Sequence, residues 1–105
     1  MGVGVLSGNI QGVTLLTATV DLGSVAANTT EEETATVAGV KLGDFVLVSK
    51  SNLSAGILLG TCRVTAADTV AIQVVNTTGS AVDASSETMT FVVIRPEQSV
   101  ERVLS

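Results

Sequence analysis

Hydrophobic and polar positions alternate strictly from Leu16 to Leu22, with Leu16, Ala18, Val20 and Leu22 on one side of the chain and Thr17, Thr19 and Asp21 on the other. A period of two is the signature of a strand with one buried face. After a loop over residues 23–30 the alternation returns in Glu33-Thr34-Ala35-Thr36-Val37-Ala38 and stops at Gly39. A short turn, Val40-Lys41-Leu42-Gly43-Asp44, leads into Phe45-Val46-Leu47-Val48. That run is apolar at both parities; Phe45 is assigned inward, and Val46 and Val48 outward.

Residues 49–56 read as a connection. Residues 57–65 form a further strand, with Leu58, Cys62 and Val64 on its inward parity and Gly60 interrupting that face as a bulge. Ala66-Ala67-Asp68 makes a tight reversal into residues 69–76, where Val70, Ile72 and Val74 share one face; this is the clearest hairpin signal in the chain. A polar loop over residues 77–86 precedes the last strand, residues 87–95, which points Met89, Phe91 and Val93 inward. Pro96 stops it, because proline has no N–H to give to a sheet ladder.

The fold class that follows is all-β, an antiparallel β-sandwich or small barrel of about six to seven short strands. Residues 1–15, where glycine alternates with valine, leucine and isoleucine without charge, read as an extended N-terminal arm. Residues 16–96 form the β-sandwich domain and residues 97–105 a C-terminal tail. In a sandwich only one parity of each strand is buried, so the other is polar when the protein works alone. Here Val46, Val48, Leu59, Val75, Val92 and Ile94 fall on the outward parity. Excess apolar surface of this kind marks an interface, and the expectation is a homo-oligomer or a permanent complex.

Composition sharpens this picture in two respects. At 105 residues the chain is one domain, rich in Val and Thr and poor in the Glu, Lys and Arg that cover helices. The formal charge is −5, and five Lys and Arg residues, the first at position 41, supply no basic stripe, which argues against direct nucleic-acid binding. No segment approaches the roughly 20 apolar residues of a membrane span. The N-terminus lacks the charged and apolar regions of an export signal, and Cys62 has no disulfide partner within the chain. Synthesis and folding in a cytoplasm are expected.

Candidate chemistry is sparse. The absence of histidine removes the commonest general base and transition-metal ligand, so neither a Ser-His-Asp nor a Cys-His site can be built. Cys62 reads as a small core residue, not a nucleophile. Glu31, Glu32 and Glu33 form the densest acidic cluster, but neighbours on a strand point to opposite faces and do not converge on one ion. Asp83 and Glu87, flanking Ser85 and Ser86, match no calcium-loop spacing and read as a polar loop. The glycines at 2 and 4 lack the rest of a dinucleotide fingerprint, and Gly39 and Gly43 lack the Lys of a phosphate loop. Asn28, Asn52 and Asn76 each begin an N-glycosylation pattern but read as turn residues, with Asn28 and Asn76 at strand ends where the amide bonds local backbone. No catalytic, cofactor or metal site is expected, and the chain reads as a non-enzyme. A glycan-binding module would need aromatic platforms, whereas the chain has no Trp, no Tyr and two Phe residues, both assigned to strand cores.

Asp21-Leu-Gly-Ser-Val-Ala-Ala-Asn-Thr-Thr30, Gly39-Val-Lys-Leu-Gly-Asp44 with Phe45-Val46, Val64-Thr-Ala-Ala-Asp-Thr-Val70 and Phe91-Val-Val-Ile-Arg-Pro96 occur in this order along the chain. Over residues 20–96 this order of turn signatures resembles small capsid decoration, or cement, proteins of tailed bacteriophages. The resemblance implies a structural protein on the outer capsid surface of a virion, bound at capsomer junctions to the major capsid protein and stabilising the shell. It also implies a homo-oligomer, with a trimer favoured and a dimer possible, and no cofactor. Residues 2–12 are the candidate for reaching a neighbouring subunit by adding a strand to a sheet edge. The rival expectations are a phage head-fibre or receptor-binding module recognising host surface glycans, and, more remotely, a pilin-like subunit.

Overall fold

The computed structural model describes residues 10–84 and 86–97. Among them the chain is all-β, with eight strands in three antiparallel sheets: β1 (Ile10–Val20), β2 (Gly23–Val25), β3 (Thr29–Thr36), β4 (Phe45–Ser49), β5 (Ile57–Ala66), β6 (Thr69–Asn76), β7 (Val82–Ala84) and β8 (Glu87–Pro96). One three-stranded sheet has the order β1-β8-β4 and the other β3-β6-β5, while β2 pairs with β7. No helix among the described residues is long and apolar enough to cross a membrane.

The two larger sheets enclose one core. From β1-β8-β4 come Val20, Met89, Phe91, Val93 and Val46, and from β3-β6-β5 come Ala35, Val70, Ile72, Val74 and Ile57, with Leu22, Val25, Val37 and Val40 closing the ends. The alternations at Leu16–Leu22, Val70–Val74 and Met89–Val93 point inward as the sequence pattern requires, because burial of one parity fixes the register of a strand.

Elsewhere the structure corrects the pattern. In β4 the inward residue is Val46, with Val48 packed against the core, and Phe45 stands out in solvent. The register explains the reversal: Val46 lies opposite the inward Val93, and Phe45 opposite the outward Ile94. In β5 the bulge expected at Gly60 is present as a register shift between Leu59 and Cys62. An extra residue in a strand inverts its parity from that point on. Ile57 and Leu59 therefore face the core before the bulge and Cys62 and Val64 after it, while Leu58, expected inward, is exposed. A Cβ on residue 60 would stand 2.9 Å from Gln73 Oε1 and 3.2 Å from its Cβ, a contact that the exposed Gln73 side chain relieves by moving.

β1 begins at Ile10, so residues 10–15, read above as part of the arm, are hydrogen-bonded into the sheet opposite β8. Residues 1–9, the rest of that arm, and residues 98–105 of the tail lie outside the described residues. β2 and β7 are three-residue strands inside the two segments read as loops, which raises the count above six to seven.

Side chains fix the turns. Asp68, with φ of 63°, closes the β5-β6 hairpin, and its Oδ1 accepts from Gly39 N at 2.8 Å while its backbone bonds Val37 N and Val40 O. Asp44 accepts both Arg95 Nε at 3.0 Å and Arg95 Nη2 at 2.8 Å, together with Lys41 N at 2.9 Å. Arg95 also donates to Gly39 O at 2.8 Å. The turn before β4 is thereby clamped to the end of β8. Asn76, at the end of the central strand β6, is the one polar residue among those described that is buried as a whole. Its Nδ2 donates to Val25 O and Ser80 O at 2.9 and 3.0 Å, and its Oδ1 accepts from Thr78 N and Oγ1 at 2.9 and 2.7 Å. This meets the expectation that its amide bonds local backbone and adds a long-range tie to β2.

Candidate interaction surface

The outer face of β1-β8-β4 is built by register. Ile94 of the central strand lies between Val13 of β1 and Phe45 of β4, and Val92 lies between Leu15 and Leu47. Two adjacent rows of three apolar side chains result. Val13 is 51%, Leu15 69%, Phe45 65% and Leu47 63% exposed, with Val92 and Ile94 half-buried between them. The next rows carry only hydroxyls, Thr17-Thr90-Ser49 and then Thr19-Thr88, whose Oγ1 atoms lie 3.3 Å apart. No ionisable side chain occurs in these four rows.

With four large side chains half to two-thirds exposed, the block presents roughly 400 Å² of apolar surface. That is as large as the largest patch of an ordinary soluble monomer, and here it is concentrated on one sheet face. Of the residues assigned outward from sequence, Val92 and Ile94 belong to this face. Val46, Val48 and Leu59 are core residues instead, and Val75 lies half-buried on the other sheet. Leu15, Leu47 and Phe45, the most exposed members of the block, were not singled out by parity. Their signal was the unbroken apolar run of β4 and the apolar start of β1.

The outer face of the opposite sheet carries an ion pair instead. Glu32 on the outer face of β3 accepts Arg63 Nε at 2.8 Å and Nη2 at 2.7 Å, and this hydrogen-bonded guanidinium holds its carboxyl below the usual range. Glu31 and Glu33 sit on the other side of the strand, so the acidic triplet does not converge. Burial, followed by the charge of Glu31, pushes Glu33 up. Glu87 is taken up by Lys50 and by Ser51 Oγ at 2.8 Å, not by Asp83, and the Lys50 ammonium holds its carboxyl low; Ser85 lies outside the described residues. Arg95 does the same for Asp44. Among the described residues no group of three or more His, Cys, Asp or Glu is placed to hold a metal ion. Cys62 is half-buried, and burial pushes its thiol up, away from the thiolate a nucleophile needs.

These shifts set the response to acid. Asp44, Glu32 and Glu87 have lowered folded-state pKa values, so each adds stability that is present above its unfolded pKa and lost as pH falls through its folded one. Glu33 is raised and works in the opposite sense, adding stability below its unfolded pKa that is lost as pH rises. Asp44, whose side chain is 2% exposed beside Arg95, is the least screened of these groups and sets the direction of the net response. Thermal unfolding followed by circular dichroism therefore shows a Tm that is nearly flat from neutrality to about pH 5 and falls below about pH 4. A Tm that climbs steadily toward pH 3 contradicts this assignment of ion pairs.

No family model matches the chain, and neither a curated protein nor a solved structure is significantly similar to it.

Proposed function

We propose that the protein is a structural virion protein, a decoration or cement protein that binds the outer surface of a phage capsid at capsomer junctions and stabilises the shell. The observation that carries this reading is the uncharged apolar block on the outer face of β1-β8-β4, with the buried core behind it. A domain that works alone gains nothing from such a face, whereas a permanent assembly uses it. The order of turn signatures from Asp21 to Pro96, with its resemblance to phage decoration proteins, points the same way.

In this reading the partners are the major capsid protein and further copies of the chain, the site of action is the virion surface after synthesis in the host cytoplasm, and the protein performs no catalysis. Each copy contributes little to the shell. Identical contacts repeated over a closed surface add up, and linked copies gain avidity without new contacts. Residues 2–9, Gly-Val-Gly-Val-Leu-Ser-Gly-Asn, are the segment proposed to reach the capsid, since the remainder of the stretch considered from sequence already belongs to β1.

Co-sedimentation with undecorated capsids from the same source tests the reading. The full chain pellets with capsids, and a variant lacking residues 2–9 remains folded but stays in the supernatant. Equal binding by the truncated chain removes the arm from the account. Saturable binding to host polysaccharide with none to capsids replaces the account with the head-fibre or receptor-binding module.

A further inference from the structure

We propose that the outer face of β1-β8-β4 is the contact between two copies of this chain, packed face to face about a two-fold axis through the apolar block. The inference goes beyond the capsid reading and does not need it, since it concerns the chain in solution; it assigns the apolar block to the contact between copies and leaves a capsid to be met by other surfaces of the pair.

Three observations on this face select a second copy as its occupant. The first is its lack of charge. The rows from Val13-Ile94-Phe45 to Thr19-Thr88 offer a charged partner no counter-ion, and burying a partner's ionised group there would leave it unpaired. A matching uncharged face is the complement, and the chain itself supplies one.

The second is what the opposite face carries instead. Glu32 and Arg63 form an ion pair on the outer face of β3-β6-β5, while Glu31 and Glu33 turn to the other side of β3. Packing two copies through that face would bury these charges, whereas packing through β1-β8-β4 leaves the pair in solvent.

The third is shape and area. Two sheets pack face to face with strands roughly 30° apart, the angle set by their twist. Apolar rows lie at one end of the face and hydroxyl rows beside them, so a two-fold axis through the block places apolar on apolar and leaves the hydroxyls at the rim. Burying the block and the adjoining rows on both copies removes about 1,000 Å² in total, the lower bound for a specific interface. A threefold arrangement instead needs a second, different surface complementary to the block. The other large apolar side chains exposed among the described residues are Leu42, Leu53 and Leu58, one each in the turn before β4, the connection after it and β5. They do not form a second block, and the geometry favours a dimer over the trimer that the family resemblance implies.

The test is light scattering coupled to size exclusion, over a concentration series, on the full chain and two variants. The wild-type chain runs at twice its monomer mass at tens of micromolar. L15K/L47K puts two ammonium groups from each copy into the interface and weakens self-association at least about 100-fold, giving a monomer. Because both side chains are solvent-exposed, its circular dichroism stays that of the wild type. L58K, an equally exposed site on the opposite sheet, leaves the dimer intact. A wild-type monomer, a trimer, or a dimer that survives L15K/L47K overturns the proposal. A dimer lost in L58K and kept in L15K/L47K moves the contact to the other sheet and overturns it as well.

Discussion

Replacing Asn76 with alanine destabilises the domain by about 3 kcal/mol, the cost of orphaning buried polar groups and not of losing packing. The amide donates to Val25 O and Ser80 O and accepts from Thr78 N and Oγ1, so all of its hydrogen-bonding capacity toward neighbours is used. No buried side-chain nitrogen or oxygen among the described residues lacks a partner, and the substitution breaks that condition at the one fully buried polar residue. Two backbone carbonyls on segments 51 and 4 residues away in sequence lose their donor at once. Asn76→Asp keeps the acceptor toward Thr78 but cannot donate to either carbonyl when ionised, so it is also destabilised and recovers part of the loss at low pH. Urea titration followed by far-ultraviolet circular dichroism measures both variants; the chain has no Trp or Tyr to serve as a fluorescent reporter. A loss under about 1 kcal/mol for Asn76→Ala means that the Val25 and Ser80 carbonyls find water instead.

Phe91→Ala costs more, about 4 kcal/mol, because it empties the centre of the core. Phe91 is fully buried on the central strand of its sheet, between Leu16 and Val48, which are only partly buried and close the core edges. Its neighbours along the strand, Met89 and Val93, are already engaged with the opposite sheet, so the site collapses poorly around an alanine. The contrast is Phe45→Ala. That ring is exposed on the outer face, and at concentrations low enough to keep the chain monomeric its removal changes stability by no more than about 0.5 kcal/mol. Comparable losses for the two variants would show that Phe45 is covered within the monomer and would remove the outer face as an interaction surface.

Much of the fold was legible because one-sided burial forces a period of two. Leu16 to Leu22, Val70 to Val74 and Met89 to Val93 each had a polar opposite parity or a matching hairpin partner, and each points where its pattern says. Phe45-Val46-Leu47-Val48 had neither. With both parities apolar, the pattern offers no choice of face, and pairing with β8 and the Asp44-Arg95 clamp before the strand decide it. In β5 the glycine announced the bulge, but parity beyond a bulge depends on how many residues it inserts, which pairing with β6 determines. Three residues carry too little periodicity to mark β2 or β7, and both sit among turn residues.

The candidate surface was legible in kind and misplaced in detail. An excess of apolar residues over what one core accommodates was visible along the chain, and it implied association. Its location required knowing that β1 and β4 flank β8, since Val13 and Leu15 meet Phe45 and Leu47 only across Ile94 and Val92. No local pattern brings together residues separated by thirty positions. Separations of 51 and 37 positions likewise hide the Arg95-Asp44 and Lys50-Glu87 pairs, whose members look like ordinary solvated charges until the strands are paired.

The measurement closest to the central claim is the number of copies bound per undecorated capsid at saturation, from quantitative sedimentation of the full chain against capsids of the same source. A plateau at a fixed ratio to the capsomer junctions, reached with high avidity, is the predicted result. Absence of binding, or binding that rises without a plateau, contradicts a decoration protein.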